Sequence, residues 1–359
     1  MSPPRFTVIM PLYNHEKYVA AAVESVLGQS FGDFELVVCN DGSTDASSEV
    51  VRGFIDARLR WIDKPNAGTV SALNACVLES RGTFVCWLSS DDLFGPDKLL
   101  THHRHHASNP ASALSVAPFG YLNGSEWTPA KQIRTAPRAR LLQFVYGNYV
   151  NGLSVCANRV LYTLFGMFDE RYQIAQDVER AFTFFRYQEP AFIDGLPQSH
   201  TRLYTGHTPD VGLLGDLDTL KILCQALQRK GLQGVMLAEE ASTALTVDTL
   251  VGVCEWLFDA RNLFYRLHMR EHLIDLVAYG LQSAGQASVL PAAVAALRAR
   301  GNDPRTAEIV AGLVEVGAAL ARPGSVCPQS FVERVVRLKD SVASADHRAV
   351  MERYLKTGF

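Results

Sequence analysis

The sequence predicts an α/β fold: a mostly parallel sheet with helices on both faces, followed by an α-helical C-terminal region. Three observations carry this. Short apolar runs alternate with amphipathic segments through the first half of the chain, and polar clusters end those runs. Beyond about residue 217 the apolar spacing is helical almost throughout.

Phe6 to Pro11 is an apolar run of strand type, and Glu16 to Gly28 follows with Val19, Val23 and Val26 at helix spacing. Phe34 to Cys39 is a second strand, ending in the turn Asn40-Asp41-Gly42-Ser43. Asp45 to Asp56 reads as a helix, Arg60 to Ile62 as a short strand, and Thr69 to Ser80 as a helix with Val70, Leu73 and Val77 on one face. Thr83 to Leu88 is a strand that ends at Ser89-Ser90-Asp91-Asp92, after which Pro96 is expected to open a helix. Repetition of the β-α unit predicts parallel pairing, and such sheets bind ligands beyond the carboxyl ends of their strands. The clusters at Asn40-Asp41 and Asp91-Asp92 fall there. Between Gly206 and Leu217 the periodicity lapses, which places a domain boundary near residue 212. Residues 1–212 form the expected catalytic domain and 213–359 the expected helical region.

Composition narrows the function classes. The chain has 359 residues, 48% hydrophobic and 20% charged, as expected of an ordinary globular protein. A net charge of −3 gives no global basic field, so no nucleic-acid partner is expected. The 7 cysteines form no CxxC pair and read as reduced thiols of a cytoplasmic protein. The N-terminal Met-Ser-Pro-Pro-Arg enters a strand without a signal-peptide pattern, and no apolar run is long enough to predict a membrane span. Peripheral contact at the inner face of a membrane stays open, as does the oligomeric state.

Two adjacent aspartates repel one another, and enclosing them costs solvation. A hard divalent cation such as Mg²⁺ or Mn²⁺ removes both penalties. Taken alone, Asp91-Asp92 reads more readily as a cap for the next helix. Asn40 to Asp45 is likewise a turn with a helix cap, but it also puts Asp41 where a carboxylate accepts a hydrogen bond from a nucleobase. Asn66-Ala67-Gly68 is a third polar link between strand and helix.

Taken in order, these segments resemble the family 2 glycosyltransferases over about residues 5 to 208. Val8 to Asn14 is similar to the family's opening strand and first nucleotide loop, and Ala21 to Phe34 to its first helix. Asn40 to Asp45 is similar to its "DDGSTD" turn, and Asn66, Gly68, Ala72 and Asn74 to its "N.G...A.N" helix. Arg81-Gly82-Thr83 with Ser89 to Asp92 resembles the run into its DXD-type metal motif. Gly166 to Glu170 with Gln176-Asp177 resembles its "G.FDE...ED" segment. The resemblance implies a GT-A type fold, Rossmann-like, and an inverting transfer of one sugar from a nucleotide-diphosphate sugar, typically a UDP-sugar, to an acceptor hydroxyl. The acceptor would be a glycan, a lipid-linked sugar or another hydroxyl compound, in cell-surface polysaccharide, glycolipid or glycoconjugate synthesis. It also implies that Pro11 and Tyr13 line the base and ribose pocket, that Asp41 contacts the base, and that Asn66 and Gly68 belong to the nucleotide site. Asp91 would hold the ribose side, Asp92 the Mn²⁺ or Mg²⁺, and Asp177 would be the general base. Leu203 to His207 loosely resembles "YR.H", which makes His207, ahead of His200, a further metal-side residue.

The chain departs from the family pattern at Asn40 (usually Asp), Leu73 (often Arg) and Gln176 (usually Glu). These departures keep open a catalytically impaired nucleotide-binding protein of the same fold. A nucleotidyltransferase is a second alternative, but Leu12-Tyr13-Asn14-His15 lacks the glycine-rich loop that class needs. Two further patterns read as decoys. The histidines of His102 to His106 lie on consecutive turns of one predicted helix, which predicts a solvated or phosphate-facing surface rather than convergence on one ion. His268-Met269-Arg270-Glu271-His272 matches HxxEH without a third ligand, and Trp87 reads as core.

Overall fold

In this computed structural model the described residues are 3–124, 126–130, 150–172, 174–203, scattered positions between 222 and 282, and 285–321 apart from 302. The chain divides into two compact units, the first of them Met1–Ile133 with Tyr149–Gly206. The expected boundary near residue 212 lies outside the described residues. Two helices of the expected C-terminal region are described in the second unit, Leu290–Arg300 and Pro304–Leu320.

The first unit opens as β1 (Phe6–Leu12), α1 (Val19–Leu27), β2 (Phe34–Asn40), α2 (Ser47–Arg52), β3 (Leu59–Asp63), α3 (Thr69–Glu79) and β4 (Phe84–Trp87). It continues with β5 (Leu93–Phe94), α4 (Lys98–Ser108), β6 (Leu114–Val116), β7 (Gly120–Asn123), β8 (Glu126–Pro129) and β9 (Val155–Asn158). Then come α5 (Val160–Phe165), α6 (Gln176–Tyr187), β10 (Ala191–Phe192) and β11 (Ser199–Arg202). Among the described residues a seven-stranded sheet runs β10-β6-β9-β4-β1-β2-β3, and a second, four-stranded sheet runs β5-β11-β7-β8. β1 pairs in parallel with β2 and β4, and β2 with β3. Every residue of β1 and β2 is buried, as expected of strands covered on both faces. The exception to parallel pairing is β9, which is antiparallel to β4 and β6. No β-α unit precedes it, so the sequence carried no parallel signal there.

Val19, Ala22, Val23 and Val26 form the buried stripe of α1, and Val70, Leu73 and Val77 belong to that of α3, matching the expected faces. Three expected boundaries shift. α1 starts at Val19 rather than near Glu16, and α2 covers only Ser47–Arg52. Pro96 does not open α4: Asp97 is its N-cap and Lys98 its first residue. The Pro96 carbonyl instead accepts a bond from Ser30 N–H at 2.9 Å.

The histidine cluster is a correction. His102 and His106 are 0% and 1% exposed, because residues four apart share one helix face and that face is inward. Each ring nitrogen pair reaches the core hydroxyl of Ser115, His102 Nδ1 at 2.7 Å and His106 Nε2 at 2.9 Å. A ligand atom from each of His102, His106 and Cys156 lies within 4.8 Å of the others, so the two rings do converge. Burial holds the His102 imidazole well below its usual range and brings His106 down to about 4. The pair is therefore an uncharged part of the core and not a phosphate-facing surface. The HxxEH segment lies outside the described residues.

Candidate active site

The loops at the carboxyl ends of β1, β2 and β3 are tied to one another by polar bonds. Asn14 adopts φ +53°, a conformation Asn tolerates better than most residues. Its Oδ1 accepts from Thr44 N–H at 2.8 Å and its own N–H donates to Ser43 Oγ at 3.1 Å. His15 N–H donates to Ser47 Oγ at 2.8 Å, and Glu16 N–H to Asp45 Oδ2 at 3.0 Å. Pro11 is buried in β1, whereas Tyr13, two residues on, is 45% exposed at the loop surface.

Asp41 lies just past β2 and is 2% exposed. Its carboxylate accepts from Ala67 N–H at 3.0 Å, from Gly68 N–H at 2.8 Å, and from Lys64 Nζ. Asp41 thus fixes the loop that carries Asn66 and Gly68, in addition to standing at the sheet's mouth. Gly68 has φ +92°, which a side chain rarely adopts, and it is the N-cap of α3. Asn66 is exposed on that loop.

Asp91 and Asp92 follow β4 in a turn closed by Asp92 N–H to Ser89 O at 3.1 Å. They cap no helix, since α4 has Asp97 as its N-cap. Asp92 is 5% exposed, and burial first, then the charge of Asp91, push its carboxyl up to about 8. One oxygen, Oδ1, accepts Arg202 N–H at 2.7 Å. A carboxylate held beside another out of water is the donor set a hard divalent ion completes, so these residues fit Mn²⁺ or Mg²⁺. His15 joins this turn to the first loop, its Nδ1 lying 2.7 Å from Ser90 Oγ. Nothing in the sequence around His15 signalled that link. Asp41 and Asp92 follow β2 and β4, the two strands that flank β1.

Asp177 comes from the other half of the site, as the second residue of α6. Ala181, Phe182, Phe184 and Phe185 bury the far side of that helix, leaving the Asp177 end partly exposed. Gly152 N–H donates to Asp177 Oδ2 at 3.1 Å. Gly152 is wedged against Trp87 at the end of β4. A Cβ there would lie 2.5 Å from the indole ring and 2.8 Å from the Asp177 Cβ. Trp87 is only partly buried and is T-shaped against Phe168, with centroids 5.9 Å apart. It lines a small cavity with Asp177, Gly152, Tyr162 and Arg180, so it is more than the core residue expected. The Phe168 segment is itself clamped to α3 by two 2.9 Å bonds with Asn74.

Residues 7–164 match the family described as glycosyl transferase family 2. This chain carries a family 2 glycosyltransferase domain. Among curated relatives, an uncharacterized glycosyltransferase of Rickettsia prowazekii is 25% identical over 218 residues, 58% of this chain and 67% of that protein. One from Haemophilus influenzae is 36% identical over 162 residues, 44% of this chain and 64% of that protein. The fold is that of the S. aureus TarS 1-349 crystal structure, with a TM-score of 0.58 at 18% identity over 88% of this chain and 90% of that one. This is the GT-A fold expected. TarS 1-349 has also been crystallised in complex with UDP.

The departures from the family pattern now have places. Asn40 Oδ1 accepts Ser43 N–H at 3.0 Å and its Nδ2 donates to Asp63 at 2.9 Å, so it shapes the Asp41 turn. Leu73 is 0% exposed in the core, and Gln176 is 7% exposed beside Asp177. His200 lies on β11, half-buried against Trp127 at 5.4 Å, and His207 lies outside the described residues. No helix among the described residues is long and apolar enough to cross a membrane.

Gly152 is the place where the smallest change should reach the chemistry. Gly152→Ala is expected to force Trp87 and Asp177 apart, costing about 1–3 kcal/mol of stability and lowering turnover more than donor affinity. Thermal melts and steady-state kinetics of the variant check this. Unchanged turnover would show that Asp177 needs no such seat.

Proposed function

We propose that this chain is an inverting, metal-dependent transferase that moves one sugar from a UDP-sugar to an acceptor hydroxyl of a glycan, a lipid-linked sugar or a related compound. The observation that carries the reading is Asp92. Its carboxyl is buried beside Asp91 at a strand's carboxyl end, in a domain of glycosyltransferase family, and a divalent cation bound there would stabilise the ionised form. When bound, Mn²⁺ or Mg²⁺ would supply charge that stabilises the departing nucleoside diphosphate.

The chain's own residues have the following parts. Pro11, Tyr13 and Asp41, with Asn66 and Gly68, hold the nucleoside over the ends of β1 to β3. Asp91 holds the ribose side and Asp92 the cation. Asp177 takes the proton of the acceptor hydroxyl as it attacks the anomeric carbon. Its Gly152 N–H bond aims the carboxylate, and its first-turn position favours the charged form. A single in-line displacement with one base inverts the anomeric configuration. Support for uridine comes from the family resemblance and from the UDP that TarS 1-349 holds.

A thermal-shift screen of UDP, GDP, ADP and CDP, each with Mn²⁺ or with EDTA, tests the assignment. A ligand at a hundredfold its Kd stabilises the fold by about 2.7 kcal/mol. UDP is expected to raise Tm with Mn²⁺ and markedly less with EDTA. No shift with any nucleotide would sink the reading.

A further inference from the structure

A diphosphate carries several negative charges, and the site described so far is poor in permanent positive ones. Two carboxylates and one divalent ion sum to zero.

Another element brings a guanidinium to the same turn. β11 pairs antiparallel with β5, His200 opposite Leu93, and this register carries Arg202 to the Asp91–Asp92 turn. Three contacts hold Arg202 there. Its backbone N–H donates to Asp92 Oδ1 at 2.7 Å, and its Nε–H donates to the Asp91 carbonyl at 2.9 Å. Its guanidinium carbon lies 4.9 Å from the centroid of the Tyr18 ring. These contacts use the backbone, Nε and one face of the group. No described residue accepts from its two terminal amino groups. The residue is only partly buried, so those groups have access to a ligand.

We propose that Arg202 is a diphosphate-binding residue: it grips the phosphates of the nucleotide beside the cation held by Asp92. This rests on the nucleotide-sugar reading above and adds a permanent positive charge to that site. The chemistry suits arginine in particular. Its group is planar, always charged, and presents paired N–H donors that match phosphate oxygens. Nε–H and the aromatic face fix its plane before the ligand arrives, so little side-chain freedom is lost on binding. With Arg202 counted, the site's charge against the diphosphate becomes +1 instead of zero.

The test compares UDP, UMP and uridine on the full chain and on Arg202→Gln and Arg202→Lys, by calorimetry in Mg²⁺ and again in EDTA. Loss of charge-assisted bonds is expected to weaken UDP by about ten- to a hundredfold in Arg202→Gln. UMP should weaken less and uridine stay unchanged, with Arg202→Lys between the parent and Gln. The loss should persist in EDTA, where no metal competes for the phosphates. Equal losses for uridine and UDP, or none for either, would overturn the proposal; the first would make Arg202 a brace for the turn. If the parent chain binds none of the three ligands while GDP, ADP and CDP also fail, the nucleotide-sugar reading itself falls. UDP binding that ignores Arg202 removes only the present inference.

Discussion

Replacing Asp177 by Asn is expected to lower the transfer rate by about 10²–10⁴-fold while leaving UDP affinity within about twofold. The substitution keeps the shape of the side chain and its oxygen, so the 3.1 Å bond from Gly152 N–H survives. What is lost is the basic carboxylate oxygen that takes the acceptor's proton. The residues proposed for the nucleotide follow β1 to β4, while Asp177 arrives on α6, so the two proposed functions lie on different elements. Single-turnover rates and equilibrium UDP titration measure them independently. Full turnover by Asp177→Asn would remove the residue from the mechanism, and a loss of UDP affinity as large as the loss of rate would assign it to binding.

The second large effect concerns Asp92 and pH. Without metal the Asp92 carboxyl is pushed from its ordinary 3.8 up to about 8 by burial and by Asp91. Between those values the folded chain retains a proton that the unfolded chain has released. Stability from this group therefore falls as pH rises through that window, and its full cost is present above about 8. One pKa unit is about 1.4 kcal/mol, which moves the Tm of a domain of this size by about 2–4 °C. In EDTA the parent protein should lose Tm between pH 5 and pH 9 by several degrees more than Asp92→Asn, which has no proton to lose. Adding Mg²⁺ with UDP should recover that loss in the parent but not in the variant, and transfer by Asp92→Asn should fall to background. Identical pH profiles for the two proteins, or an equal Mg²⁺ shift, would refute a buried titrating carboxyl as the metal's seat.

Asp41 shows how far the sequence could be read. Its place after a strand and before a glycine marked it as a site residue. Its bonds to Ala67, Gly68 and Lys64, which make it a clamp on a neighbouring loop, join residues more than 20 apart and leave no local pattern. Asp91-Asp92 was legible as a pair, but whether it served as a helix cap depended on where α4 begins. The side-chain periodicity of α4 did not settle that boundary. The buried His102 and His106 mark the opposite failure, since polar letters at helix spacing looked like a wet face. Ser115 on β6, the strand that follows α4, supplies the hydroxyl that makes the core hospitable to them. Gly152 and Arg202 carried no signal, because each acquires its role only by meeting an element far along the chain.

What the sequence determined by itself was the class of fold, the order β-α-β-α, and the carboxylates that end β2 and β4 and open α6. Those features follow from local periodicity and turn chemistry, which act over a few residues. Tertiary structure alone decided that Asp92 is buried beside Asp91, that Gly152 seats Asp177 against Trp87, and that Arg202 reaches the Asp91–Asp92 turn. Each depends on strands and helices from separate stretches of chain being brought together. Desolvation and charge coupling exist only once that meeting has taken place.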